Sequence, residues 1–187
     1  MTNSDKKPLI MAAALDLFAE RGFHGAPTSA IATRAGVGVG TIYRYFKDKD
    51  SLVHELFTQL RDRYQRAILA ELDPGLPPRQ RLESILTVLL RLFIAAPAEF
   101  RFMELYYFSP YATSSASNFP GEDSVIVQAI RDARDQGLCK EAPLRVLEAV
   151  AMGPLMALVK EHCCRKMAVN NDIMALAVQA SWDAIRK

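Results

Sequence analysis

Long apolar runs are missing from this chain. The best candidate, Ala149 to Val159, is 11 residues long and is bounded by Glu148 and Lys160. A membrane-crossing helix needs about 20 predominantly apolar residues, so the stretch suits a buried core helix instead. No basic-then-apolar leader opens the sequence, and a cytoplasmic location is the expectation. Cysteine is scarce as well: Cys139, Cys163 and Cys164, an odd number with two adjacent. That usage argues against a disulfide framework and fits a reducing compartment. His162 precedes the cysteine pair, but neighbouring helical side chains point about 100° apart and do not converge easily on one ion. No metal site and no cofactor are expected. An excess of one charge is also lacking, since 23 Lys and Arg against 21 Asp and Glu leave only +2 over 187 residues. Any affinity for nucleic acid must therefore come from a local basic patch.

What is present is helical pattern almost throughout, without internal repeats. β-Branched alternation never persists, and Asn-Gly and Asp-Gly hairpin turns are absent. The expected fold is all-α with nine helices. The first runs from Pro8 to Arg21, with Ile10, Ala13, Ala14, Leu17 and Phe18 on one face and Gly22 as its stop. A short second helix, Ser29 to Ala35, is capped by Thr28 or Ser29 and ended by Gly36; a third covers Val39 to Phe46. Asp48 caps a long fourth helix that carries Leu52, Val53, Leu56, Phe57, Leu60, Tyr64 and Ile68 at helical spacing and ends at Asp73-Pro74-Gly75. Arg79 to Ala96 is apolar nearly all round, as a helix buried on most sides would be. Pro97 breaks it, and an aromatic run from Glu99 to Phe108 follows. Ser109 to Gly121 reads as a loop. Three helices remain: Glu122 to Gln136, Pro143 to Met167 with a kink at Gly153-Pro154, and Asn171 to Ile185. A change of composition near Asp48 divides residues 1–47 from 48–187, with the fourth helix bridging the two parts.

The informative stretch is Thr28 to Lys49. Two short helices around a glycine corner make a helix-turn-helix, whose second helix enters the major groove in DNA-binding proteins. On that second helix Ile42 and Phe46 share a face with Val39, which should pack inward. Gly40, Thr41 and Arg44 fall on the other side, flanked by Tyr43 and Tyr45, with Lys47 and Lys49 just beyond. A face rich in donors and aromatics, and without carboxylates, suits phosphates and base edges. Periodicity alone fits equally well a small solvated helix in an ordinary bundle.

The string Ala30-Ile31-Ala32-Thr33-Arg34-Ala35-Gly36-Val37-Gly38-Val39-Gly40-Thr41-Ile42-Tyr43-Arg44-Tyr45-Phe46-Lys47-Asp48-Lys49 resembles the signature of the tetracycline-repressor (TetR) family. Ala14-Leu15-Asp16-Leu17-Phe18-Ala19-Glu20-Arg21-Gly22-Phe23 is similar to that family's first helix. The resemblance is dense over about residues 8 to 55. It implies a homodimeric regulator of double-stranded operator DNA, repressing by default and released by a small-molecule effector. Thr28 and Ser29 would then meet phosphate; Thr41, Tyr43 and Tyr45 would hold phosphate or sugar; Lys49 would reach the backbone; Gly40 would permit close approach to a base. Val39 departs from a polar residue common at its place and would touch a thymine methyl. Direct readout would lean on Arg44 and Thr41.

In the remainder, Phe57, Tyr64, Phe93, Phe102, Met103, Tyr106, Tyr107 and Phe108 can line a pocket or simply form core. The resemblance to a family of sensors favours an apolar or amphipathic ligand site, acting on the tilt of the fourth helix. The last two helices are apolar on more than one side, so both a core and a partner must be served. Leu147, Leu155, Leu158 and Trp182 are the candidates for a four-helix dimer interface. An enzyme finds no support: no nucleophile elbow, Walker loop, H-E-x-x-H or carboxylate pair is present. An architectural helix-turn-helix protein without a ligand site would not need so long a C-terminal region.

Overall fold

The computed structural model describes residues 6–113 and 124–187. Among them the chain forms ten helices: α1 (Lys7–Arg21), α2 (Thr28–Arg34), α3 (Val39–Tyr45), α4 (Lys49–Glu71), α5 (Pro78–Ala95), α6 (Pro97–Tyr107), α7 (Pro110–Thr113), α8 (Val125–Asp135), α9 (Leu144–Arg165) and α10 (Asn171–Ile185). No strand occurs among the described residues, where a lone antiparallel bridge joins Cys139 to Arg186. The all-α class is as the sequence implies.

The helix absent from the expected nine is α7, a single turn inside the stretch read as loop. Ser109 makes it locally: its hydroxyl donates to the Tyr106 carbonyl at 2.7 Å and accepts from the Tyr111 N–H at 3.2 Å. The rest of that loop, the expected helix start at Glu122 and residues 1–5 lie outside the described residues. The second helix also begins differently from expectation. Pro27, with φ −66° and ψ 152°, takes the cap position, Thr28 is already helical, and no side chain closes the end. Proline's fixed φ supplies the entry geometry one residue early. Asp48 does close α4. Its carboxylate accepts from the Ser51 N–H at 2.7 Å while the Ser51 hydroxyl accepts from the Asp48 N–H at 3.0 Å, a reciprocal capping box. These bonds, the one from the Ser51 backbone first, hold the Asp48 carboxyl below the usual carboxylate range. Helix α9 runs on through Pro154.

The described residues form two compact units, 6–62 with 96–113 and 63–95 with 124–187. Helix α4 has residues in both units, and α6 and α7 group with α1–α3. In the first unit, Ile10, Ala14, Leu17 and Phe18 of α1 are fully buried, packed against α2, α3 and α6. The Phe18 ring lies 5.2 Å from Phe23 and 6.1 Å from Phe102. In the second unit α5 is central, with Leu82, Ile85, Leu86 and Leu90 buried among α8, α9 and α10. Arg81 ties α5 to α8 through Asp132 at 2.9 Å.

Candidate nucleic-acid interface

Helix α2 ends because Gly36 adopts φ +65°, a left-handed conformation that costs glycine little. The Val37 N–H then bonds to the Ala32 carbonyl at 3.0 Å and the Gly36 N–H to Thr33 at 3.2 Å. This Schellman closure satisfies the carbonyls at the helix end and sends the chain sharply into α3. Ile42 and Phe46, 2% exposed each, anchor α3 inward. Val39 was expected on that packed face but is 39% exposed. It occupies the first turn, beyond the reach of the helices beneath.

The outward face carries the donors. Tyr43 is 53% exposed, and Arg44 and Gly40 are exposed beside it. Nothing lies within 4 Å of where a Gly40 Cβ would sit, so the backbone there is open to close approach. Thr41 and Tyr45 are half-buried. The Arg44 guanidinium lies 5.9 Å from the Tyr45 ring, and the Tyr45 hydroxyl accepts from the Lys6 N–H at 3.4 Å. Lys6 at the start of α1 thus borders α3, a neighbour that sequence spacing did not suggest. Ser29 is exposed and Thr28 half-buried at the start of α2, where N–H groups and the positive end of the dipole face outward.

Charge follows the same division. From Arg21 to Lys47 the sequence contains no Asp or Glu. Arg34 is turned away from this role by a bidentate pair with Glu20 of α1, at 2.7 and 2.9 Å. That hydrogen-bonded pair lowers Glu20 and raises Arg34 from their ordinary values. Lys49 is more constrained than a free phosphate contact would be. Its ammonium donates to the Phe23 carbonyl and lies 5.7 Å from the Phe18 ring, and burial lowers its pKa. An ammonium has three donors, so two stay available after the carbonyl is served.

The residues considered for a ligand pocket separate. Phe57 and Tyr106 stack at 3.8 Å in the first unit, with Phe102 tilted 6.4 Å from Tyr106, and all three are buried. Rings this close leave no space for a molecule between them; here the aromatics bind α6 to α1 and α4. Tyr64 and Phe93 form an edge-to-face pair at 5.5 Å in the second unit, and burial pushes the Tyr64 hydroxyl up to about 12. Met103 is half-buried, while Tyr107 and Phe108 are exposed.

The dimer candidates lie on α9 and α10. Leu147, Leu155 and Trp182 are buried within the second unit, and Leu158 is half-buried. With both helices apolar on several sides, periodicity could not say which side serves the unit's own core. The outward stripe of α9 is Val146, Ala149, Val150, Gly153 and Ala157, with Val146 49% and Val150 42% exposed. On α10, which packs against α9, Leu176 is 69% exposed. Small and β-branched residues three and four apart were the available signal.

A carboxylate-free, outward-facing α3 on a glycine-closed turn, in an all-helical chain, defines a helix-turn-helix transcription regulator. Residues 10–56 match the bacterial regulatory proteins of the tetR family, and residues 78–186 match a tetracycline repressor-like C-terminal domain. The chain belongs to the tetR family, whose members are transcription regulators rather than enzymes; repression, ligand binding and homodimerisation are typical of them. Among curated relatives, the HTH-type transcriptional regulator YhgD of Bacillus subtilis is 34% identical over 86 residues, 46% of this chain and 45% of that protein. The match therefore spans less than half of that relative's length. A tetR family transcription regulator from Shewanella sp. PV-4 is similar over 97% of this chain and 98% of its own, with 27% identity and a TM-score of 0.85. The regulator FadR from Bacillus subtilis, in complex with stearoyl-CoA, shares the fold at 19% identity and TM-score 0.75, covering 92% and 98%.

Proposed function

We propose that this chain is a homodimeric repressor whose α3 reads operator DNA and whose grip is released by an apolar or amphipathic small molecule. The observation that carries the reading is the outward face of α3, open at Gly40 and furnished with Thr41, Tyr43 and Arg44, within 27 carboxylate-free residues. Arg44 and Thr41 contact base edges, with Val39 placed to touch a thymine methyl. Thr28, Ser29, Tyr43, Tyr45 and Lys49 hold phosphate or sugar. Residues 1–47, with Lys49 at the start of α4, carry DNA binding; residues 48–187 carry the effector site and dimerisation, the latter through the α9 stripe and Leu176.

An amphipathic effector is favoured by the apolar surface of α6 and its C-cap, where Met103 is half-buried and Tyr107 and Phe108 are exposed. The fold itself accommodates such a molecule, since FadR holds stearoyl-CoA on it. Selection of bound duplexes from a random pool, followed by a reporter under the recovered sequence, tests the reading. A recovered palindrome and a silenced reporter are expected; no enrichment of any sequence, or an induced reporter, contradicts it.

A further inference from the structure

Helices α6 and α7 belong to the compact unit of the helix-turn-helix, although about fifty residues separate them in sequence from α3. Two tyrosines make the connection polar as well as apolar. The Tyr106 hydroxyl, on a side chain with no exposure, lies 2.8 Å from His54 Nδ1. The same hydroxyl reaches the Tyr111 carbonyl at 3.4 Å. The Tyr111 hydroxyl donates to Asp50 at 2.9 Å. These two contacts of Tyr106 are satisfied together when His54 donates from Nδ1 and the Tyr106 hydroxyl donates its hydrogen bond to the Tyr111 carbonyl. A closed path then runs from His54 through Tyr106 and Tyr111 back to Asp50, one helical turn earlier on α4. Burial, then the bond to Asp50, push Tyr111 up to about 12, so its hydroxyl stays protonated and donates.

The position of this ring gives it a consequence. Asp50 and His54 flank Ser51, whose capping box with Asp48 starts α4 two residues after Phe46, the inward anchor that follows α3. The Tyr111 ring also meets Phe23 edge-on at 5.1 Å, and the Phe23 carbonyl receives the Lys49 ammonium. None of Tyr106, Tyr111 or His54 lies on the outward face of α3. We infer that Tyr106 and Tyr111 are positioning residues for DNA binding, fixing the first two turns of α4, and with them α3 and Lys49, through His54 and Asp50. The inference rests on the DNA-reading role of α3 proposed above.

The test uses the full-length protein and the duplex that wild type selects from a random pool. Tyr111→Phe removes one partly exposed hydroxyl and keeps the ring, so the melting temperature should hold. Duplex affinity should fall about three- to tenfold, with the slope against salt unchanged. A cationic residue at a phosphate would instead lower that slope by about one unit when removed. His54→Ala should lose a similar factor, and His54→Asn, which keeps a donor near Nδ1, should recover part of it. Combining Tyr111→Phe with His54→Ala should cost little more than either alone, since one ring is broken in each case. Amide exchange in the DNA-free protein supplies a second reading, with Leu52 and Val53 exchanging faster in Tyr111→Phe. Unchanged affinity, a reduced salt slope, or unchanged exchange at Leu52 and Val53 overturns the inference. Failure of wild type to select any duplex contradicts the DNA-reading role separately, and the exchange measurement still decides whether the ring holds α4.

Discussion

Tyr43 and Arg44 are adjacent on α3, both exposed, yet the chemistry expected of them differs. A tyrosine hydroxyl at a phosphate helps fix register and carries no sequence information, so Tyr43→Phe should weaken binding by a similar factor on selected and random duplexes. Arg44→Ala should instead relax preference at one base position, by roughly 1–3 kcal/mol. A titration of both variants against duplexes altered one base pair at a time separates the two behaviours. Equal losses across all duplexes for Arg44→Ala would remove it from direct readout. A different residue, Glu148 on α9, offers a prediction on stability. Burial raises its carboxyl from the usual 4.5 to about 7, with Arg145 opposing. The folded protein then holds a proton that the unfolded chain has released, so the stabilisation is complete below about 4.5 and is lost as the pH rises through about 7. Glu148→Gln should flatten the dependence of melting temperature on pH over that window and leave the variant more stable than wild type at pH 8. An unchanged profile would mean that the carboxyl is solvated.

Helix α9 shows how much of the fold was legible and where legibility stopped. Its existence follows from an eleven-residue, mostly apolar run between charged ends, and its burial as a core helix follows from the same run. Which side faces the unit's own core does not, because Leu147 and Leu155 on one side and Val146 and Val150 on the other satisfy the same hydrophobic template. The inward positions are Leu147, Ala151, Leu155 and Val159, and the outward stripe alternates valine with alanine and glycine, which lets another helix come close. Leu155→Ala should therefore cost about 2–5 kcal/mol of stability by opening a cavity. Val150→Glu should barely affect folding of a single chain and should yield monomers in sedimentation. Dimers persisting in Val150→Glu would place the interface elsewhere. Much of the helix-turn-helix was legible, since its glycines are local chemistry and the family signature is dense there; the Pro27 cap of α2 and the exposure of Val39 were not. The grouping of α6 with α1 was not, because Phe18–Phe102 packing is a long-range choice and an aromatic run reads equally as pocket or as cement. Lys49 shows a similar limit: spacing puts a cation beside α3, but only the fold hands its ammonium to the Phe23 carbonyl.

A single seven-residue recognition helix spans few base pairs, so useful specificity requires two copies of α3 on one duplex. In a two-fold dimer the half-site centres should lie about one helical turn apart, or a multiple of it, and the operator should be roughly palindromic. In the proposed function, control passes along helix α4. It is one helix of 23 residues, rising about 1.5 Å per residue, and it begins beside α3 and continues into the second unit. On that reading, a change in the tilt of α4 displaces α3 relative to its groove, and in a dimer the displacement acts on both half-sites at once. An effector that favours the displaced arrangement must weaken DNA binding by the same factor as DNA weakens effector binding, because the two are linked through one equilibrium. Typical coupling amounts to about 1–3 kcal/mol, or about 5- to 150-fold. The measurement starts from a thermal-shift screen of apolar and amphipathic compounds, acyl-CoAs included. The affinity of a hit is then determined by calorimetry with and without the selected duplex. Affinity should fall in the presence of the duplex, and duplex affinity should fall by an equal factor at saturating effector. Equal effector affinities in the two conditions would show that the bound compound does not govern the DNA-binding helices, whatever site it occupies.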